Sequence, residues 1–189
     1  MPKVWRIVDL IQWSESYFRE KSHQNPRLEI EWMLCSLLNC ERLDLYMRFD
    51  EPLSGSQLST LRGWVKRRSK NEPLQYITES CQFYGIEFFV DKRVLIPRPE
   101  TERLIDEAIK SIRHVRSPNI FDIGTGSGCI AIALAKEIEN SNVIGIDKSI
   151  RSLQVAKKNS AELNVKNVAF LEMDILNQYP KEKFDLVIS

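Results

Sequence analysis

The sequence predicts an α/β protein in which an all-helical bundle and a β-hairpin precede a doubly wound parallel sheet. Three observations carry this. Apolar residues recur at helical spacing through roughly the first seventy positions. An aromatic and β-branched stretch around Gly85 then interrupts that period. Beyond Ile120, short apolar runs alternate with helical segments on short connections, which requires parallel strands joined by crossover helices. A chain of 189 residues suits one large or two small domains. The reading divides it into a helical domain 1–75, a hairpin linker 76–97 and a sheet domain 98–189.

The elements follow in order. Val4, Ile7, Val8 and Ile11 fall on one helical face, which Tyr17 and Phe18 continue. Pro26 opens a second helix with Leu28, Trp32, Cys35 and Leu38 at helical spacing. A short helical piece covers Arg42 to Arg48, and Ser54 caps a fourth helix whose inner face is Leu58, Leu61 and Val65. Trp5, Trp13, Trp32 and Trp64 all lie in this region and are expected in its core. Residues 81–90 form the hairpin, and the prolines of Val94-Leu95-Ile96-Pro97-Arg98-Pro99 keep that stretch extended. A helix from about Thr101 to Arg113 turns Leu104, Ile105, Ala108, Ile109 and Ile112 inward. Strands are expected at 120–123, 143–146, 168–171 and 184–188, with helices at about 129–139 and 149–163. A sheet ending on that fourth strand would leave an apolar edge bare, so the domain is expected to be incomplete at Ser189.

Composition narrows the function classes. A net charge of +1 provides no broad basic field for nucleic acid, and direct nucleic-acid binding is not expected. Cys35, Cys40, Cys81 and Cys129 are scattered without metal-ligand spacing, so they read as reduced, structural cysteines. His23 and His114 lack acid or cysteine partners at useful spacing and read as surface residues. The N-terminus Met1-Pro2-Lys3-Val4-Trp5-Arg6 lacks a signal-peptide core, and no apolar run is long enough to span a bilayer. A cytoplasmic, monomeric protein without membrane contact is expected. The basic run Lys66, Arg67, Arg68 and Lys70 is either a solvated helix end or a contact for a partner.

The chemistry concentrates at Phe121-Asp122-Ile123-Gly124-Thr125-Gly126-Ser127-Gly128, where an apolar strand runs through three alternating glycines into a helix. That arrangement brings backbone N–H groups and a helix N-terminus against a small polar ligand. It departs from the dinucleotide pattern, whose third glycine would fall at Cys129, and no lysine follows as a triphosphate loop requires. The next strand ends on Asp147, placed to accept from two ribose hydroxyls. Asp174, after the third strand, is either an acceptor for an adenine amino group beside Ile175 or a turn-forming aspartate. The alternating glycines with Asp122 before them are the form met in S-adenosylmethionine-dependent methyltransferases.

A rarer combination sharpens the reading. Glu72-Pro73-Leu74-Gln75-Tyr76-Ile77 precedes the hairpin, and Ile96-Pro97-Arg98-Pro99-Glu100-Thr101 follows it. With these segments the whole chain resembles the HemK/PrmC-type protein-glutamine N-methyltransferases, which act on the Gly-Gly-Gln motif of peptide-chain release factors. The resemblance implies a Rossmann-like domain binding S-adenosyl-L-methionine through Gly124, Thr125, Gly126, Ser127, Gly128, Asp147, Asp174 and Ile175. It implies that residues 1–75 recognise the release factor and that Pro97, Arg98, Pro99, Glu100 and Thr101 lie near the active-site mouth. It further implies a catalytic Asn-Pro-Pro-Tyr motif starting after Ser189, so no catalytic residue is assigned and residues 1–189 alone are expected to turn over little. Two other readings are adenine N-methylation of DNA or RNA and a non-catalytic partner-binding module.

Overall fold

In the computed structural model, which describes residues 4–189, the chain divides into the units Met1–Thr78 and Glu79–Ser189. Met1-Pro2-Lys3, part of the N-terminus read above, lie outside the described residues. The first unit holds α1 (Ile7–Glu20), α2 (Pro26–Leu38), α3 (Arg42–Met47), α4 (Gly55–Arg68) and a short α5 (Leu74–Thr78) that the sequence did not announce. Among the described residues no helix is long and apolar enough to cross a membrane.

Several expectations for this unit are corrected. Helix α1 starts at Ile7, where the Arg6 N–H and guanidinium both donate to Asp9, at 3.1 and 3.0 Å. Val4 therefore stays outside the helix, 67% exposed. In α2 the buried apolar face is Ile30, Met33 and Leu34, not the Leu28 row, because two glutamates are drawn inward. Glu31 accepts from Arg27 Nε (2.9 Å), Arg42 Nε (2.6 Å) and the Tyr46 hydroxyl (2.7 Å). Burial pushes its carboxyl up, but these three hydrogen bonds outweigh burial and hold it below the usual range. Glu29 takes two bonds from Arg68, at 2.8 and 2.7 Å, and lies 2.8 Å from His23 Nδ1.

His23 is thus an almost fully buried ring with an acid partner, not a surface residue. The basic run is likewise half committed, since Arg67 also makes two bonds to Glu72, both at 2.9 Å. The four tryptophans do not form the core either. Phe18 and aliphatic side chains do, while Trp5 and Trp64 pack on its edge. Trp13 is 48% exposed and stacked on Tyr17 with ring centres 5.4 Å apart. A large ring with a polar N–H sits most cheaply at such a boundary.

The second unit opens with the hairpin β1 (Ser80–Phe83) and β2 (Ile86–Phe89), joined by Tyr84-Gly85. Both turn residues have positive φ, +52° and +68°, as a two-residue hairpin loop needs. Helix α6 (Glu102–Ile112) holds Tyr84 in that conformation, Glu102 accepting from its N–H (2.9 Å) and Asp106 from its hydroxyl (2.8 Å). Leu104 is exposed, leaving Ile105, Ala108 and Ile112 as the buried face of α6.

Strands β3 (Asn119–Ile123), β4 (Asn142–Asp147), β5 (Val168–Glu172) and β6 (Leu186–Ile188) form a parallel sheet in the order β5-β4-β3-β6. Helix α7 (Cys129–Glu137) crosses from β3 to β4, and α8 (Ile150–Glu162) from β4 to β5. The order reverses between β3 and β6, so their carboxyl ends lie side by side, Asp122 in register with Ile188. That reversal is where open parallel sheets bind ligands.

Gly128, at φ +80°, precedes α7 where a Cβ would lie 3.0 Å from Phe170, 3.1 Å from Ala156 and 3.1 Å from Ile132. Gly128→Ala should cost about 2–4 kcal/mol, combining the left-handed backbone with overpacking. The urea midpoint measures this, and a change below about 0.5 kcal/mol would refute the packing account.

Candidate functional site

The site is built at the carboxyl ends of β3 and β4. The chain leaves β3 through Gly124 (φ +75°), Gly126 (φ +55°) and Gly128, and α7 begins at the next residue. The loop folds back over β4: the N–H groups of Gly124 and Thr125 both donate to the Ile146 carbonyl at 2.8 Å. The Gly126 N–H donates to Asp147 Oδ2 at 3.1 Å, and the Gly128 N–H to the Thr125 carbonyl at 2.8 Å. This corrects the expectation of bare glycine amides. All three are spent on shaping the loop, and the space opposite the missing side chains of Gly124 and Gly126 is what stays open.

Gly145 in β4 completes this fit. A Cβ there would meet Thr125 Oγ1 at 2.7 Å and the Phe170 ring at 2.8 Å, so only glycine lets the loop settle on the strand. The sequence placed Gly145 within a strand without signalling this role. A lone strand glycine does suggest close backbone approach, which is the signal available.

Two carboxylates flank the loop in different states. Asp147, the last residue of β4, also accepts from the Ser149 N–H (2.9 Å), so each of its oxygens already holds one backbone donor and retains a lone pair for another. Asp122 in β3 is 1% exposed, and neither of its oxygens completes a hydrogen bond. The Thr125 hydroxyl above it is also buried and unpartnered. Burial pushes the Asp122 carboxyl up to about 6; the nearby Thr125 hydroxyl and Ala131 N–H, though outside hydrogen-bond geometry, partly offset this, and the charge of Asp147 adds to it. A buried, unsatisfied carboxylate beneath a glycine loop is costly unless it meets a cationic donor. In the sequence Asp122 stands at the head of the glycine motif, but nothing local there marks it as a binding residue.

The remaining expected residues are less closely gathered. Asp174 behaves as a turn former: Oδ1 accepts from the Leu176 N–H (3.1 Å) and Oδ2 from Asn177 Nδ2 (2.8 Å), with Ile175 half-buried beside it. Pro97 is buried and its carbonyl lies 4.0 Å from Cys81 Sγ on the hairpin, while Arg98, Pro99 and Glu100 are exposed at the start of α6. This segment bonds to the hairpin and not to the glycine loop. Burial pushes the thiol of Cys129, next to the loop, up to about 12, which disfavours the thiolate. Among the described residues no cluster of three metal-ligating side chains occurs.

Residues 9–78 match the PrmC N-terminal domain family and residues 115–189 match a methyltransferase domain family. The release factor glutamine methyltransferase of Geobacter sulfurreducens is 40% identical over 100% of this chain and 65% of its own length. That of Chlorobaculum tepidum is 39% identical over 99% of this chain and 67% of its own. The chain therefore spans about two thirds of the length of the curated relatives it matches. The structure of M. jannaschii TYW2 in complex with AdoMet shares 21% identity over 57% of this chain and 48% of that one, with a TM-score of 0.48.

The state of Asp122 sets a pH dependence. Its folded pKa is raised to about 6 from 3.8, so between those values the folded protein binds more protons than the unfolded one. Stability should fall as pH rises from 4 to 6, by on the order of 2–3 kcal/mol from this group, and level off above. Denaturation of Asp122→Asn beside the wild type checks this: the asparagine variant should be the more stable at pH 7, with the difference shrinking towards pH 4. A variant less stable at every pH would contradict it.

Proposed function

The chain belongs to the release factor glutamine methyltransferase family, and from that premise we propose that it serves S-adenosylmethionine-dependent methylation of a protein glutamine. The glutamine is that of the Gly-Gly-Gln motif in a peptide-chain release factor. The observation that carries the cofactor half of this reading is the pair Asp122 and Asp147 on either side of an open glycine loop.

The residues present fit the methyl donor. Asp122, buried and unsatisfied, offers a carboxylate to the ammonium of its methionine portion. Asp147 retains lone pairs for two ribose hydroxyls, and Gly124 and Gly126 leave room for the chain between them. Asp174 and Ile175 are assigned to the adenine end, Ile175 as an apolar wall and Asp174 through acceptor capacity its turn bonds leave over. When bound, the donor supplies an electrophilic methyl group on a sulfonium. Two carboxylates beside that cation give the crevice the sign of charge it needs.

The substrate side follows from chemistry. An amide nitrogen is a weak nucleophile because its lone pair is delocalised into the carbonyl. Holding it in line with the methyl group can supply several kcal/mol, on the order of effective-molarity gains. The proposed place for that amide is the carboxyl end of β6, beside the end of β3, where the strand order reverses.

The helical unit is assigned to release-factor recognition. A cavity of about 120 Å³ between α1 and α4 supports this, lined by Trp5, Leu10, Trp13, Leu58, Leu61, Arg62 and Val65. Ser14, fully buried and with an unpartnered hydroxyl, also lines it. The cavity is of a size to take one apolar side chain.

Calorimetry with S-adenosylhomocysteine should show one site per chain, and Asp147→Ala should weaken it by about tenfold or more. The protein carrying this chain should move a labelled methyl group from the donor to a release factor, and not to one whose Gly-Gly-Gln glutamine is replaced. Label appearing in DNA or RNA instead would overturn the substrate assignment.

A further inference from the structure

Asn159 of α8 is 1% exposed and spends its whole side-chain amide on two distant backbone segments. Its Oδ1 accepts from the Phe89 N–H (2.8 Å), and its Nδ2 donates to the Phe89 carbonyl (3.0 Å). The second N–H of Nδ2 donates to the Ser127 carbonyl (2.9 Å). Phe89 ends the hairpin and Ser127 lies within the glycine loop. One side chain therefore pairs with β2 as a neighbouring strand would, and ties that strand to the loop.

The connection continues on both sides. Ser127 follows Gly126, whose N–H is held by Asp147. Beyond Phe89 the chain runs through residues 90–96 to the Pro97–Thr101 segment. Helix α8 grips this stretch again, the Ser152 hydroxyl donating to the Arg93 carbonyl at 3.1 Å. Lys158, next to Asn159, sits 3.1 Å from the centre of the Phe89 ring.

We propose that Asn159 is a positioning residue that couples the hairpin to occupancy of the glycine loop. The proposal rests on the reading of that loop as the methyl-donor site. Any shift of the Ser127 carbonyl on ligand binding must be accommodated by the same amide that holds both polar groups of Phe89. The buried amide has no spare donor and no solvent to turn to. Ordering the loop therefore orders the hairpin and the stretch leading to Pro97. By linkage, ordering the hairpin strengthens binding at the loop by the same factor.

The test compares wild type, N159D, N159L and S152A. Asn159→Asp keeps an acceptor for the Phe89 N–H but loses both donated bonds. Ser152→Ala loosens the neighbouring grip of α8 on the Arg93 carbonyl without touching the loop. Affinity for S-adenosylhomocysteine is measured by calorimetry well below each melting temperature, and hydrogen exchange at the Phe89 amide is followed with and without that ligand. In the wild type the ligand should slow exchange at Phe89. In N159D and N159L binding should weaken by ~10-fold, within the usual span of coupling factors, and N159D should lose the ligand-dependent slowing. S152A, which loosens only the far end of that stretch and leaves the three Asn159 bonds in place, should weaken binding by less than either Asn159 variant.

A purely structural Asn159 would lower melting temperatures but leave the affinity of folded N159D unchanged, and that result overturns the proposal. So does wild-type exchange at Phe89 that ignores the ligand, which decides the matter even if both Asn159 variants fail to fold. Wild-type protein that binds no S-adenosylhomocysteine at all refutes the donor-site reading itself.

Discussion

The chain must pass from the end of β3 into α7 within residues 124–128 while folding over β4 beside the buried Asp122 carboxylate. Everything around that turn serves this requirement. The Ile146 carbonyl takes two consecutive amides of the loop, which presses it onto β4. Gly145 offers no side chain there, and Gly128 leaves none between α7, α8 and Phe170. Helix α7, whose residues Ala131–Ala135 are all buried, can lie this close because alanine stands at 131, 133 and 135. A side chain added at either glycine would lift the loop, and with it the geometry that Asp147 caps through Gly126.

The contrast with the helical unit separates a structural buried acid from a functional one. Glu31 and Glu29 are also buried, but guanidinium, hydroxyl and imidazole groups meet their oxygens and hold both carboxyls below their usual range. Asp122 shares the burial and lacks the partners, and its carboxyl is pushed the other way. The first arrangement closes a bundle. In the proposed donor site, the second leaves a carboxylate for a cation at the expense of the ligand-free fold, as strained functional positions do.

The α/β half was largely legible in the sequence because each signal there is local. An apolar run, a glycine-rich bend and an acid at the next strand end fix β3, the loop and Asp147 without long-range information. In the helical unit a capping serine at 54 marked its helix for the same reason. What escaped depends on partners far apart in sequence. His23 looked solvated because Glu29 stands six residues on, across a helix start. The inward face of α2 could not be placed without knowing that Arg42 and Arg68 pair with its glutamates and that the Tyr46 hydroxyl donates to Glu31. Asn159 carries no signal, since its two targets lie 70 and 32 residues away. Asp174 stayed ambiguous in the sequence, and its bonds to Leu176 and Asn177 show the turn role.

We propose that Asp122, charged and unpaired, receives the cationic end of a methyl donor. Carbon-13 NMR titration of its side-chain carboxyl with and without saturating S-adenosylhomocysteine tests this. The free protein should show a midpoint near 6, and the complex a midpoint clearly below it, because an ammonium partner favours the carboxylate. A midpoint unmoved or raised by the ligand would contradict the account.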